Sequence, residues 1–214
     1  MAQLSFYSAD ASQPRVADLA GVLCAHGGIV SFASSAARLS IAVDEPWRAT
    51  ALREEFAKRG VTATLTRADC GSPLVRTAFR SDLLLLARAW TASTASRSDG
   101  AKRVPDDFLL TGAVLRLWAL AAGARERHDG KRRSGFLLGL DPDEQGTHQP
   151  LLRALRQTGL LSMSGSGSVV GVRTGSPSVR IAGRARLRRL VELVGDAPIA
   201  AEPAWPASLV AVSA

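Results

Sequence analysis

The side chains best suited to metal or nucleophilic chemistry are few, and their spacing predicts no such site. The chain contains His26, His128, His148, Cys24 and Cys70. Their intervals do not match those of zinc sites. Cys24 falls within a predicted helix, where a small packed apolar residue is the simplest interpretation. We therefore expect no metal and no cofactor.

The chain is basic. Its 214 residues include 27 Lys and Arg against 19 Asp and Glu, a net charge of +8. Such an excess of positive charge favours binding to a nucleic-acid backbone, because each phosphate that the protein neutralises releases counterions. An arginine-rich proteome would also make many of its proteins mildly basic, so the net charge alone is weak evidence for nucleic-acid binding. The densest basic cluster is Lys131-Arg132-Arg133.

Strand alternation sorts several basic residues onto one predicted face. Val75 and Phe79 are predicted to point inward, which leaves Arg76 and Arg80 outward, and Arg180 follows the same rule in the second half. Each arginine taken singly is equally well a solvated surface residue. The candidate contacts are Arg67, Arg76, Arg80, Lys131, Arg132, Arg133, Arg173 and Arg180, with Thr62, Thr64 and Thr66 beside them.

A helix–strand pattern must position these residues, and its first copy fills the first half of the chain. Pro14 opens an amphipathic helix that Gly27 closes. The elements predicted after it are strands at 29–34 and 38–43, a helix at 44–59, strands at 61–66 and 74–80, and a helix from 82.

The second half repeats the order from a helix at 108–122. A charged stretch, 125–133, leads into a strand. The elements predicted from there are strands at 135–140, 169–173 and 179–182, a helix around Leu151 to Leu160 between the first two, and a last helix at 184–194. Shared order with low identity indicates an old duplication.

The pattern sets the predicted domain boundaries. The first repeat is residues 1–93, the linker 94–104, the second repeat 105–197, and a flexible Pro/Ala-rich tail 198–214. Trp205 stands in that tail between prolines, outside any helical spacing. We therefore expect Trp205 to be a docking residue for a protein partner.

Residues 19–27 read Leu-Ala-Gly-Val-Leu-Cys-Ala-His-Gly, which resembles the LAGLIDADG motif of homing endonucleases with both acids changed. The resemblance implies an α+β fold in which two pseudo-twofold-related α-β-β-α-β-β-α repeats form a saddle over DNA. In that fold the motif helices pack against each other, and small side chains permit the close approach. The expected interface residues are Ala17, Gly21, Ala25, Ala113, Leu117 and Ala121.

The residues before the two motif-ending glycines bear on catalysis. In LAGLIDADG nucleases an acid at each of these positions holds a divalent metal, and here the positions are His26 and Ala122. Alanine offers no ligand, and one histidine is a poor site for magnesium. The expectation is a protein that is not an enzyme, with His26 a polar helix-end residue.

The second motif helix, 115–123, reads Leu-Arg-Leu-Trp-Ala-Leu-Ala-Ala-Gly and is similar to the corresponding run in WhiA, a bacterial regulator family. That resemblance implies a transcriptional or cell-division and sporulation regulator that binds double-stranded DNA. WhiA also carries a helix-turn-helix domain, which this sequence does not show, so a partner protein could supply one.

Three functions remain open on the sequence. The first is DNA binding without cleavage, the second a protein-interaction module that no longer binds DNA, and the third a nuclease that uses other acids. No apolar run approaches the roughly 20 residues of a membrane span, and no export signal is visible. We expect a cytoplasmic protein, associated with the nucleoid if it binds DNA.

Overall fold

The computed structural model describes residues 8–91, 101–126, 135–163, 169–171, 176–201 and 204–206. The first repeat follows the predicted order. A short 3₁₀ helix, Val16–Leu19, leads into its first element. Its elements are α1 (Ala20–Cys24), β1 (Gly28–Phe32), β2 (Ala36–Ala42), α2 (Pro46–Lys58), β3 (Ala63–Arg67), β4 (Pro73–Thr77) and α3 (Leu84–Trp90).

The second repeat has the same order of helices and strands. Its elements are α4 (Gly112–Ala122), β5 (Gly123–Arg125), β6 (Gly135–Gly139), α5 (His148–Gln157), β7 (Val169–Gly171), β8 (Pro177–Ala182) and α6 (Arg184–Val194). The predicted α+β order is thus confirmed in both halves. The sequence did not predict strand β5, which begins at the glycine that closes the predicted helix and ends at the first residue of the charged stretch.

Local sequence explains where the longer helices begin and end. Pro46 occupies the first turn of α2, where its missing N–H costs nothing. Gly60, just after α2, has φ 71°, a conformation that glycine adopts without strain. At α4, the Thr111 hydroxyl accepts a bond from the Val114 N–H and caps the helix.

Each repeat builds one antiparallel four-stranded sheet. The strand orders are β1-β2-β4-β3 and β5-β6-β8-β7, so the two sheets have the same topology. One face of each sheet packs on helices, as the buried Ile29, Leu39 and Val75 show in the first sheet. The opposite face of each sheet is its outer face.

Helices α1 and α4 pack against each other and join the two repeats in one core. A Cβ atom at Gly21 would lie 2.1 Å from the Val114 carbonyl oxygen and 2.7 Å from the Leu117 Cβ. The other predicted interface residues that are buried are Ala25, Ala113, Leu117 and Ala121.

The prediction that Ala17 belongs to this interface is wrong, because its side chain is exposed. It lies in the 3₁₀ helix before α1. With three residues per turn instead of 3.6, that segment does not keep Ala17 in phase with Gly21 and Ala25.

The prediction that Trp205 docks a protein partner is also wrong. Its side chain is 1% exposed, and its indole N–H donates to the Gly195 carbonyl oxygen at 2.9 Å. The Arg116 guanidinium lies 5.4 Å from the centre of its ring. Trp205 is therefore a core residue and is not available for docking a partner, and Ala201, also in the predicted tail, is buried as well.

Candidate nucleic-acid interface

A polar row crosses the outer face of the first sheet. In the strand register Arg76 lies opposite Ser40 on one side and Thr64 on the other. Arg76 and Thr64 are exposed, and the Thr64 hydroxyl donates to the Arg76 carbonyl oxygen at 3.1 Å. Arg76 therefore lies on the face that the sequence predicted, beside the threonines of β3.

An extra residue in the chain after β4 changes the predicted alternation. Ser40 pairs with Arg76, but Ala37 pairs with Arg80, so the five residues 76–80 lie opposite the four residues 37–40. Such a β-bulge reverses the side on which the following side chains point. Phe79, predicted inward, is 41% exposed for this reason.

The same bulge moves Arg80 away from its predicted role. Arg80 is in register with Ala37, which faces the core, and its guanidinium forms a two-bond ion pair with Asp82 at 2.9 and 2.6 Å. This carboxylate, bonded to Arg80, has a lowered pKa. The structure therefore places Arg80 in an ion pair and out of the outer-face row.

Arg67 also lies outside the row. It shares its side of β3 with Ala63 and Leu65, opposite to Thr64, and its guanidinium donates to the Gly71 carbonyl oxygen at 3.0 Å. Its side chain is exposed at the helix side of the sheet edge.

Arg38 is an outer-face residue that the sequence reasoning missed. It lies opposite Val30 in the β1–β2 register, and its guanidinium is 4.7 Å from the centre of the Phe79 ring. Its position between inward-facing Ala37 and Leu39 could have revealed it by the same alternation that identified Arg76.

The second sheet places Arg180 outward, as predicted, between buried Val179 and Ile181. Its guanidinium forms an ion pair with Glu126 at 2.7 Å. Lys131, Arg132, Arg133 and Arg173 lie outside the described residues.

The ends of the two motif helices meet at a cleft of about 870 Å³ between the sheets. His26 and Ala122 both line it. The His26 imidazole bonds through Nε2 to the Ala42 carbonyl oxygen at 2.6 Å. This bond places His26 as the polar helix-end residue that the sequence predicted.

A basic side chain caps each motif helix from within the protein. The ammonium group of Lys102 donates to the carbonyl oxygens of Leu23, Ala25 and Gly27 at 3.2, 2.8 and 2.9 Å, at the end of α1. Carbonyl groups at a helix C-terminus carry partial negative charge, which a cation stabilises.

Arg48 does the same for α4. Its guanidinium donates to the carbonyl oxygens of Ala119, Leu120 and Gly123 at 3.3, 2.9 and 2.5 Å. Burial lowers the pKa of Arg48, which neighbouring Asp44 partly offsets. Cationic capping therefore occurs at the two helix ends from which metal-binding acids would project in a nuclease.

Three carboxylates around the cleft are already engaged. Asp141 pairs with Lys102 at 2.6 Å, Asp44 with Arg48 at 2.8 Å, and Glu144 accepts the Lys102 backbone N–H at 2.9 Å. Within the described part of the chain, no group of three or more His, Cys, Asp or Glu side chains could hold a metal ion.

A buried charge network links the two repeats. Glu55 of α2 bonds to Arg116 of α4 at 3.1 Å and to Arg59 at 2.7 Å, and Arg59 reaches Asp18 at 3.1 Å. Burial alone would raise the pKa of Glu55. The bonds from Lys58 and Arg59 and the charge of Arg116 outweigh burial and lower this pKa to about 2.

The fold has known counterparts. No protein-family model and no curated protein matches the sequence. The homing endonuclease I-WcaI, solved bound to its DNA recognition sequence, is similar over 91% of this chain and 83% of its own, with TM-score 0.56 and 13% identity. The chain therefore has a LAGLIDADG-type fold.

WhiA shares that fold in a second comparison. The N-terminal LAGLIDADG domain of WhiA matches 87% of this chain and 84% of its own, with TM-score 0.51 and 8% identity. Full-length WhiA from Thermatoga maritima matches the whole chain with TM-score 0.54 and 10% identity, and this chain spans 63% of its length. The fold is thus a degenerate, WhiA-like LAGLIDADG fold.

The described helices include none that is long and apolar enough to cross a bilayer.

Proposed function

We propose that the protein binds double-stranded DNA through the outer faces of its sheets and does not cut it. The observation that carries this proposal is the outward placement of Arg38 and Arg76 in a fold similar to one solved on DNA. Neither arginine pairs with a carboxylate among the described residues, so both can contact phosphate or base edges. Threonines beside Arg76 supply further hydrogen-bonding groups.

The absence of cleavage is the second part of the proposal. Metal-dependent hydrolysis of a phosphodiester needs hard oxygen ligands clustered around the metal. His26 is bonded to a backbone oxygen, Ala122 has no ligand atom, and Lys102 holds Asp141 in an ion pair. These contacts support binding without catalysis.

Supercoiled plasmid tests both parts together. The protein is incubated with plasmid and Mg²⁺ or Mn²⁺, and the products are separated before and after removal of protein. We expect retarded plasmid that returns to the supercoiled form. Nicked or linear plasmid would reveal a nuclease using other acids.

A regulatory role is the finer part of the proposal, and the resemblance of residues 115–123 to the corresponding run in WhiA supports it. We infer a transcriptional or cell-division and sporulation regulator that works in the cytoplasm on nucleoid DNA. Crosslinking of the protein to the genome should enrich a defined set of promoter regions. Uniform recovery of the genome would argue against regulation.

A protein-interaction module is the second candidate function, favoured by the arginines of α6. Arg184 and Arg188 are exposed, and Arg186 and Arg189 are half-buried. None of the four forms an ion pair within the described residues. An acidic partner protein fits such a helix face. Absence of DNA binding by the wild-type protein at low salt, together with loss of partner capture in an Arg184→Glu, Arg188→Glu variant, would favour this candidate.

A further inference from the structure

Two exposed aromatic rings and a half-buried arginine form a cluster on the outer face of the first sheet. The aromatic cluster consists of Phe32, Phe79 and Arg38. The side chain of Phe32 is 63% exposed and that of Phe79 is 41% exposed. The ring centres are 5.4 Å apart with the planes tilted by 47°, and the Arg38 guanidinium lies 4.7 Å from the centre of the Phe79 ring.

The backbone directs both rings outward. The bulge between Thr77 and Arg80 turns Phe79 from the core side to the outer face, and bulges commonly re-aim side chains at functional sites. Without the bulge, alternation would have buried Phe79. The exposure of its ring is therefore a consequence of a local departure from regular pairing.

The hairpin tip beside Phe32 has an unusual backbone as well. Ala33 and Ser34 have φ of 47° and 53°, which is costly for residues other than glycine, asparagine and aspartate. The Arg88 guanidinium of α3 donates to the Ser34 carbonyl oxygen at 3.2 Å and anchors the turn. The turn thus fixes the end of β1 where Phe32 projects.

The chemistry of the cluster suits the flat faces of nucleobases. Aromatic rings and guanidinium planes stack on bases, and neighbouring cations contact the phosphates between them. Arg76 lies on the same outer face and provides such a cation. In a perfect duplex each base face is covered by its neighbours, so stacking on protein requires bases that have left the stack.

We propose that the aromatic cluster stacks on unpaired or unstacked bases, so that the protein prefers DNA with an opened segment. The inference rests on the proposed DNA binding and adds a ligand class to it. An acidic or apolar protein partner at the same surface is the competing occupant, and the DNA experiment separates the two.

The test compares two probes of equal length and charge. One is a perfect duplex, and the other contains a short central run of mismatches with 2-aminopurine among the unpaired bases. We expect the wild-type protein to bind the opened probe about tenfold more tightly, on the scale of one stacked base, and to change the 2-aminopurine fluorescence.

The matched variants separate stacking from hydrophobicity. Phe32→Leu, Phe79→Leu keeps apolar side chains but loses the rings, and should bind both probes equally. Leu85→Ala removes an apolar side chain that is 77% exposed on α3, and should keep the preference. Circular dichroism and the thermal midpoint verify that each variant folds; if the double variant does not, Phe32→Leu alone is used.

The outcomes are distinct. Equal affinity of the wild-type protein for both probes, or an unchanged preference in the leucine variant, overturns the stacking site but leaves DNA binding intact. Binding to neither probe at low salt removes the proposed function itself and favours a protein occupant.

Discussion

At the scale of single residues, Arg76 and Lys102 show two different uses of positive charge. Arg76 is exposed on the outer face and has no carboxylate partner among the described residues. Lys102 is 8% exposed and is held by Asp141 and three carbonyl oxygens. The first is suited to a ligand, and the second stabilises the protein.

Reversal of one outward charge tests the DNA-binding row. Arg76→Glu should weaken duplex binding by at least about tenfold and lower the salt dependence by about one phosphate contact. Arg53→Glu, at an exposed position on helix α2, is the matched control and should leave the affinity unchanged. Equal losses in both variants would mean that only overall charge matters.

Removal of the Lys102 ammonium group tests the helix cap. Lys102→Met leaves Asp141 and the end of α1 without their cation, and should lower the free energy of unfolding by about 3 kcal/mol. Lys58→Met breaks an ion pair at a side chain that is 57% exposed, and should cost under about 1 kcal/mol. Urea unfolding measures both, and similar losses would contradict a special role for Lys102.

At the scale of elements, local sequence patterns determine the order of helices and strands, whereas tertiary contacts determine details that those patterns do not show. The order of helices and strands could be predicted because apolar periodicity and glycine or proline boundaries are local signals. The close approach of α1 and α4 at Gly21 followed from small residues at helical spacing.

Non-local contacts explain what the sequence did not reveal. The bulge before Arg80 depends on pairing with β2, and strand β5 depends on pairing with β6. Trp205 is buried and its ring lies beside Arg116, which is far away in the sequence. Of the candidate contacts, Arg76 and Arg180 were placed correctly by alternation, whereas Arg38 was overlooked.

The helix contact makes a sharp prediction about Gly21. Gly21→Ala would place a Cβ atom 2.1 Å from the Val114 carbonyl oxygen, so α1 and α4 must separate. We expect a loss of at least about 2 kcal/mol in the free energy of unfolding. Gly28→Ala meets no atom within 4 Å and serves as the control. Thermal and urea unfolding measure both variants, and a tolerated Gly21→Ala would refute close packing there.

At the scale of the whole molecule, the Glu55 network ties the two repeats together. Glu55 lies on α2 of the first repeat and its partner Arg116 on α4 of the second. Arg116 also donates to the Val194 and Asp196 carbonyl oxygens at 2.8 and 2.6 Å. Loss of the Glu55 charge should therefore weaken the contact between the two repeats.

The network predicts a defined dependence of stability on pH. Because folding lowers the pKa of Glu55 from 4.5 to about 2, its stabilising contribution is complete above pH 4.5 and is lost as the pH falls towards 2. The wild-type protein should exceed Glu55→Gln in free energy of unfolding at pH 7. Urea unfolding of both should show that difference shrinking between pH 4.5 and 2, and a constant difference would refute the assignment.

The most direct test of the central claim is the affinity of the protein for duplex DNA at increasing salt, measured by fluorescence anisotropy with Mg²⁺ present and followed by analysis of the DNA. Binding without cleavage predicts a Kd that rises steeply with salt and DNA that is recovered intact. Failure to bind at low salt, or recovery of cut DNA, would contradict the account.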